Sequence, residues 1–292
     1  NMQSVIDESF FQQLELFSLA VKDNVAGLFG GNHKSKKFGS SSEFADYRDY
    51  LEGDDITKID WNIYGRTEKM YLKLYLDERQ MQTRIYIDCS TSMSYNGKDE
   101  MAVRLATALA YLSIKEMDRV SIYAIRGKIV EPILEKIVGK DAFTQTIGRI
   151  NKLKFGGDAY ISEALTRSVV GFGDGRSIII SDFLTDNNFF DSIDYLRGKK
   201  RDVLCLQVLS PQEMHPEVRG KTIIRDSEDS MRFYKDNIGR EILNAYKKAV
   251  EYITSRIDNF CTSREADYQL VTTDQSVKEV LLKTLADKGV IK

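Results

Sequence analysis

Three short segments of this chain are apolar on both faces, and no other feature restricts the fold as strongly. They are residues 83–88 (TRIYID), 176–183 (RSIIISDF) and 202–209 (DVLCLQVL). Such strands are typical of a parallel sheet covered on both sides, because a strand with one wet face would alternate polar and apolar residues. Helical patterns lie between them, as at 98–117. The sequence therefore predicts a doubly wound α/β fold, with a mostly parallel sheet and helices on both faces.

Other segments extend this pattern toward both ends of the chain. Strands are predicted at 70–76, 119–125, 128–134 and 268–273, a hairpin at 221–234, and helices at 4–29, 140–152, 160–170, 188–198, 239–262 and 276–287. The chain has only three prolines and no proline-rich linker. We therefore predict a main domain at 80–292 and, at 1–79, an extension of helix and strand that packs on its core.

Charge and cysteine usage exclude several classes of protein. The 42 Lys and Arg residues nearly balance the 44 Asp and Glu residues, so overall charge predicts neither nucleic-acid nor membrane-surface binding. The three cysteines are far apart and show no zinc-site spacing, which favours a reducing compartment, the cytoplasm. The longest mostly apolar stretch, 106–114, is too short to span a bilayer. We expect a soluble protein whose partner is chosen by a local site.

Polar side chains follow the predicted strands where ligands collect in an open parallel sheet. Asp88, Ser90 and Ser92 follow one strand, Asp158 precedes a helix, and Asp182 ends a second strand. Oxygen ligands without clustered His or Cys suit a hard cation, Mg²⁺ or else Mn²⁺ or Ca²⁺. Two neutral hydroxyls would leave its charge under-compensated, so a partner's carboxylate could complete the site. The same residues are also ordinary cap and turn formers, and this alternative stays open.

The run from Asp88 to Met93, with FGGDAYISEAL at 155–165 and IIISDF at 178–183, resembles the metal-ion-dependent adhesion site of von Willebrand factor A domains. That family's pattern is Asp-x-Ser-x-Ser, a loop threonine and a later aspartate. The resemblance implies a Rossmann-like, von Willebrand factor A-like fold and a non-enzymatic protein-binding module. Ala159 stands where the threonine belongs. Two alternatives follow. Either Asp158 replaces the threonine as a ligand, or the site is degenerate and the scaffold works without metal.

A longer signature, at 42–79 (SEFADYRDYLEGDDITKIDWNIYGRTEKMYLKLYLDER), resembles the bacterial family called domain of unknown function fifty-eight. Members are often encoded beside MoxR-type AAA+ ATPases, which implies an adaptor or co-chaperone that binds such an ATPase or its client. The dense charges of this segment fit an internal salt-bridge network. Alternatively, Arg48, Trp61 and Arg66 contact a partner, since Trp and Arg are favoured interface anchors.

An enzyme is the competing interpretation. Asp88 could be the nucleophile of a Mg²⁺-dependent phosphohydrolase, but the second carboxylate expected two residues later is Ser90. The chain has two histidines, His33 and His215, and no GxSxG elbow, which argues against a serine hydrolase. It also lacks the glycine patterns of nucleotide sites. We therefore predict a binding protein without catalytic residues.

Overall fold

The structure is a computed structural model that describes residues 5–20, 44–50, 59–75, 82–116, 118–168, 175–184, 188–216 and 240–287. The chain divides into two compact units, one of residues 1–31 with 81–292 and the other of residues 32–80. The predicted hairpin at 221–234 and the second part of the predicted helix 4–29 lie outside the described residues. The division into 1–79 and 80–292 stays a prediction.

The first unit contains six strands and eight helices in its described residues. The strands are β3 (Gln82–Asp88), β4 (Arg119–Arg126), β5 (Ile129–Ile137), β6 (Gly175–Ser181), β7 (Asp202–Leu209) and β8 (Asp267–Thr272). The helices are α1 (Glu8–Ala20), α3 (Lys98–Lys115), α4 (Lys140–Ile150), α5 (Ile161–Arg167), α6 (Phe190–Gly198), α7 (Pro211–Met214), α8 (Arg240–Ser263) and α9 (Val277–Asp287). A 3₁₀ turn lies at Ser92–Ser94.

The six strands form one sheet in the order β5-β4-β3-β6-β7-β8. Every neighbouring pair is parallel except β4 and β5, which form an antiparallel hairpin. The order reverses direction between β3 and β6, and this is the switch point at which an open α/β sheet forms its binding crevice. The predicted doubly wound, mostly parallel fold is confirmed.

Alternation along β3 explains why both faces of the sheet are covered. Ile85 and Ile87 belong to one buried cluster, and Tyr86, between them, belongs to the other. The first cluster is closed by side chains of α1, α3, α4 and α9, and the second by those of α5, α6 and α8. Because each face has its own hydrophobic layer, every central strand is apolar throughout, as the sequence predicted.

Helix α1 is held on the first unit by a charged side chain as well as by packing. Leu14 and Phe17 are buried in the first cluster. Glu15 accepts a hydrogen bond from the Tyr111 hydroxyl, and Lys115 Nζ lies 2.9 Å from its carboxylate. Lys140 Nζ lies at the same distance, and these contacts lower the pKa of Glu15 to about 2.

The amino edge of the sheet is closed by a buried arginine. Arg201 is 2% exposed and donates to the carbonyls of Gln82 and Arg176 at 2.5 and 2.6 Å. Its side chain passes directly beside Gly175, where a Cβ would meet the guanidinium and the Gln82 carbonyl at under 3.0 Å. Glycine is therefore required at the start of β6, also because its φ is +148°.

All three cysteines, Cys89, Cys205 and Cys261, are free thiols with no exposed surface. Burial raises the pKa of Cys89 to about 12. A contact with Cys261, together with burial, raises the pKa of Cys205. The thiols are therefore packing groups and carry no thiolate at neutral pH at these two positions.

The second unit pairs two strands with one short helix. Strands β1 (Phe44–Asp49) and β2 (Tyr71–Tyr75) are antiparallel, and α2 (Trp61–Thr67) lies between them in the chain. The Asp60 carboxylate caps α2 by accepting the N–H groups of Asn62 and Ile63. The cap is buried, whereas none of the helix residues is.

Candidate functional site

Asp88 stands at the carboxyl edge of the sheet, where β3 ends. It is 4% exposed, and its Oδ1 accepts the N–H of Ser90 at 2.8 Å. Its Oδ2 accepts the hydroxyl of Ser181, the last residue of β6, at 2.6 Å. Burial raises the pKa of the carboxyl, and the two hydrogen bonds oppose the rise. Asp88 therefore joins the ends of the adjacent strands β3 and β6, and it also stabilises the turn that follows β3.

The hydroxyls of Ser90 and Ser92 meet in the loop after β3. Their Oγ atoms are 3.1 Å apart, and both residues are half-buried. Met93 in the following 3₁₀ turn is fully buried and anchors the loop. Two oxygens bound side by side to Mg²⁺ at about 2.1 Å would be about 3 Å apart. This spacing suits either a hydrogen bond between the hydroxyls or a shared cation.

A second loop, before α5, lies against the first. Gly156 donates its N–H to the carbonyl of Cys89 at 2.8 Å. Thr91 donates to the carbonyl of Gly157 from its N–H at 2.8 Å and from its hydroxyl at 3.1 Å. The sequence predicted that these two loops lie at the same edge of the sheet. In the structure, backbone hydrogen bonds join them there.

Ala159, at the position expected to hold the loop threonine, and Asp158, just before it, have different surroundings in this second loop. Asp158 is exposed, and its carboxylate makes no hydrogen bond or ion pair with the residues that the structure describes. Ala159 is 6% exposed and forms a parallel bridge with Gly127, just beyond β4. The position expected to hold a threonine hydroxyl therefore presents a buried methyl group.

Lys98 begins α3 directly after the serine loop. Asn96 and Gly97 before it have φ values of +55° and +76°, a left-handed turn that these two residue types tolerate best. The Lys98 N–H donates to the carbonyl of Tyr95 at 3.1 Å. This turn sends the lysine side chain into the protein, where it is 1% exposed.

The Lys98 ammonium pairs with two carboxylates. Nζ lies 2.9 Å from Oδ2 of Asp182 and 2.5 Å from Oε1 of Glu213. Burial alone would lower the pKa of the lysine, but the two carboxylates more than offset this, and its pKa is raised. The ammonium therefore stays charged inside the protein and links α3, the end of β6 and α7.

The other oxygens of these two carboxylates also have partners. Asp182 Oδ1 accepts the N–H of Leu184 at 3.0 Å. Glu213 Oε2 accepts the N–H of Ser210 at 2.7 Å, while Ser210 Oγ accepts the N–H of Glu213, which completes a capping box on α7. Both carboxylates are thus fixed in orientation before any ligand binds.

The structure therefore brings together four of the five residues predicted to bind metal. Asp88, Ser90 and Ser92 form one connected group, and the nearby charge of Asp182 adds to the raised pKa of Asp88. Asp158 is in the adjoining loop without a contact to them. The residues predicted to contact a partner lie in the second unit, where Trp61 and Arg66 are exposed on α2. Arg48 lies in β1, and its side chain is outside the described part.

Sequence reasoning missed Lys98 and Glu213. A lysine in the first turn of a helix faces the positive end of the helix dipole, and this unfavourable placement was a usable signal for Lys98. For Glu213 the signal was the sequence Ser-Pro-Gln-Glu at 210–213, which matches a capping box. Neither signal predicts that the two side chains meet at Asp182.

The donor set does not fit the cation site that the adhesion-site resemblance implies. The loop threonine is replaced by Ala159, and a lysine ammonium contacts the carboxylate of Asp182. No cluster of three or more His, Cys, Asp or Glu side chains in the described ranges is placed to hold a metal. Among the predicted ligands in the described ranges, the hydroxyls of Ser90 and Ser92 have a spacing that suits a shared cation.

Together, the sheet order and the polar loops at its carboxyl edge define a doubly wound α/β domain. Residues 46–254 match the family model described as "Protein of unknown function DUF58", and the chain belongs to this family. The membership predicted from residues 42–79 is confirmed.

Part of this chain is similar to known relatives and to solved structures. The uncharacterized protein Rv1480 of Mycobacterium tuberculosis is 25% identical over 234 residues, which cover 77% of this chain and 73% of that protein. A crystal structure of an aerotolerance-related membrane protein from Bacteroides fragilis is 16% identical, with a TM-score of 0.40, and the match covers 71% of this chain and 99% of that one. A von Willebrand factor type A structure from Catenulispora acidiphila is 10% identical, with a TM-score of 0.38 and coverage of 72% and 42%.

One similar structure carries a metal. Proximal thread matrix protein 1 from the mussel byssus, with a zinc-occupied MIDAS motif, is 11% identical with a TM-score of 0.39, and the match covers 70% of this chain and 45% of that one. In the present structure, none of the helices in the described ranges is both long and apolar enough to cross a membrane.

Proposed function

We propose that this protein is a non-enzymatic protein-binding module that contacts its partner through the loops at the carboxyl edge of the sheet. The supporting observation is a contrast within that edge. Thr91, Ser94 and Tyr95 are exposed there, whereas Asp88, the candidate nucleophile, is buried with hydrogen-bond donors on both carboxylate oxygens. Such an edge offers contacts to a partner but no free nucleophile to a substrate.

The partner proposed is a MoxR-type AAA+ ATPase or its client, as the family resemblance implies. A second candidate contact lies on α2, where Trp61 is 60% exposed and its ring meets that of Tyr64 edge-on at 5.9 Å. Arg66 is exposed on the same helix. Exposed aromatic and arginine side chains are favoured anchors of protein interfaces. The cytoplasmic location stays a prediction.

The sequence left two alternatives open for the carboxyl-edge site. One binds Mg²⁺, Mn²⁺ or Ca²⁺, and the other works without metal. The zinc-occupied MIDAS motif of the byssus protein is a precedent for the first form. The buried ion pair of Lys98 with Asp182 supports the second, because it places a positive charge at a carboxylate that the metal form requires. We adopt the metal-independent form.

Binding to the purified MoxR-type ATPase of the same organism tests the proposed surface. Tyr95→Ala should weaken binding about tenfold, since truncating an interface aromatic typically costs more than 1 kcal/mol. Tyr252→Ala is the matched control, because Tyr252 is 67% exposed on α8 and Tyr95 is 57% exposed. Equal affinities for the wild type and both variants would exclude the carboxyl edge as the contact.

The non-enzymatic assignment has its own test. Purified protein should not hydrolyse a generic phosphomonoester in the presence of Mg²⁺. Hydrolysis that persists through purification and disappears in Asp88→Asn would show that Asp88 is a nucleophile and would overturn the proposal.

A further inference from the structure

We infer that the Lys98 ammonium takes the place of the divalent cation at the carboxyl edge, so that this edge keeps its structure and binds its partner without metal. Only the last step, partner binding, rests on the proposed function. The inference begins with the unusual position of Lys98, which combines 1% exposure with the first turn of α3. Burial and the helix dipole both disfavour a positive charge there.

Two carboxylates compensate that unfavourable position. Asp182 and Glu213 approach Nζ at 2.9 and 2.5 Å. Asp182 directly follows β6 and Glu213 lies in α7, so a single ammonium joins three parts of the fold that are remote in the chain. A divalent cation in an adhesion site has the same task, since it neutralises carboxylates and holds the loops that supply them. Here the side chain of the protein itself performs it.

A metal ion and the ammonium would compete for the same carboxylate. A Mg²⁺ bound to Asp182 Oδ2 at about 2.1 Å would lie within about 5 Å of Nζ, because the ammonium is already 2.9 Å from that oxygen. Like charges that close, away from bulk water, repel strongly. The loop opposite gives no compensation, because Ala159 supplies no hydroxyl and Asp158 is not in contact with the group.

Within the group formed by Lys98, Asp182 and Glu213, positive charge offsets most of the negative charge without a metal. Asp182 and Glu213 contribute two negative charges, and Lys98 contributes one positive charge. The N-terminus of α3 adds roughly half a positive charge. Lys98 therefore removes much of the negative potential that would attract a divalent ion, and the Ser90 and Ser92 hydroxyls remain available for direct hydrogen bonds to a partner.

The wild-type protein gives the first test. After treatment with a chelator, its melting temperature should stay the same on addition of Mg²⁺, Mn²⁺ or Ca²⁺. A site with a dissociation constant a hundredfold below the metal concentration would raise it by roughly 5–10 °C. A rise of this size that disappears in Ser90→Ala together with Ser92→Ala would overturn the inference, because metal and lysine would then coexist.

The second test exchanges the lysine for metal. Lys98→Met keeps the length of the side chain and removes its charge. The buried Asp182 and the half-buried Glu213 then lose their cation, so the melting temperature should fall by roughly 6–20 °C. Mn²⁺ should then bind, as measured by electron paramagnetic resonance, and restore part of the loss. A stable Lys98→Met protein that ignores Mn²⁺ would contradict the inference.

Lys128→Met is the matched control, because Lys128 forms an exposed ion pair with Glu163 at 2.9 Å. It should change neither stability nor Mn²⁺ binding. If Lys98→Met does not fold, Lys98→Met with Glu213→Gln removes one unpaired carboxylate, and the wild-type titration decides in either case. These readouts need no partner, so failure of the proposed function leaves them interpretable. Binding of the ATPase in the presence of a chelator then tests the last step.

Discussion

Individual buried charges in this protein are stabilised by specific neighbours, and the exceptions are informative. Lys98 has two acceptors and Arg201 has three. Asp118, just before β4, is 8% exposed, and the hydrogen bond that the structure gives its side chain comes from the Thr83 hydroxyl at 3.4 Å. Burial raises the pKa of Asp118 to about 7, because this contact and the charge of Arg176 only partly offset it.

We expect Asp118→Asn to flatten the dependence of stability on pH. In the wild type the folded pKa lies above the unfolded value, so its contribution is complete below about pH 4 and is lost as the pH rises through 7. The loss is about 2–4 kcal/mol. Urea denaturation should give equal stabilities at pH 4 and a more stable variant at pH 8. Asp141→Asn, at an exposed position, is the control, and the same pH curve for Asp118→Asn as for wild type would refute the expectation.

At the scale of single elements, two local devices position helices and strands on the sheet. Glu15 ties α1 to α3 and α4 through a tyrosine and two lysines. Gly175 lets Arg201 pass at the start of β6. Both devices depend on one side chain, or on the absence of one, and each can be tested by one substitution.

Glu15→Gln should loosen the attachment of α1. The wild-type carboxylate has a pKa lowered to about 2, so its contribution is present above about pH 4.5 and is lost as the pH falls toward 2. Because the group is about one-third exposed, we expect a loss of only about 1 kcal/mol at neutral pH. Denaturation at low salt measures it, and Glu8→Gln at an exposed position of the same helix is the control. An equal effect of both substitutions would show that the network contributes nothing specific.

Gly175→Ala should destabilise the sheet by about 2–4 kcal/mol, because the new methyl group collides with Arg201 and with the backbone at Gln82. Gly148→Ala is the matched control. Nothing lies within 4 Å of a Cβ at Gly148 in α4, and the exchange should be neutral or stabilise by up to about 1 kcal/mol. Chemical denaturation should therefore show a lowered free energy of unfolding in Gly175→Ala and no loss in Gly148→Ala, and equal free energies for the two variants would argue against the close approach of Arg201.

The sheet and most of its helices were predictable because their signals are local. The strands β3, β6 and β7 are apolar on both faces, and this pattern needs no knowledge of neighbours. The short elements α2, α7 and β1 were missed, because their sequences, WNIYGRT, PQEM and FADYRD, show no clear apolar period. In the site, the Asp88 loop was predictable from spacing. The contact of Lys98 with Glu213 spans 115 residues and is set by tertiary structure alone.

At the scale of the whole molecule, exposed aromatic residues occur in both compact units, on the carboxyl-edge loop at Tyr95 and on α2 at Trp61. Neither side chain is needed to fill a described core. Because folding does not depend on these two side chains, substitutions there should change the affinity for the proposed partner and leave the free energy of unfolding unchanged.

Trp61→Ala should accordingly leave the melting temperature within about 1–2 °C of the wild type, since an exposed side chain contributes within about 0.5 kcal/mol. Affinity for the ATPase should fall about tenfold or more if α2 is an anchor of the interface. Leu16→Ala is the control, because Leu16 is 68% exposed on α1 and lies outside both proposed surfaces. Unchanged affinity in Trp61→Ala would remove α2 from the interface.

The burial of all three native thiols makes the chain suitable for attaching a probe at a single chosen place. Gly198, at the end of α6, has no atom within 4 Å of a Cβ and lies just before β7, at the amino edge of the sheet. A maleimide dye should react with Gly198→Cys and leave Cys89, Cys205 and Cys261 untouched. The dye would lie about 20 Å, one strand length, from the serine loop. Fluorescence anisotropy could then follow a binding event without disturbing the surface that causes it.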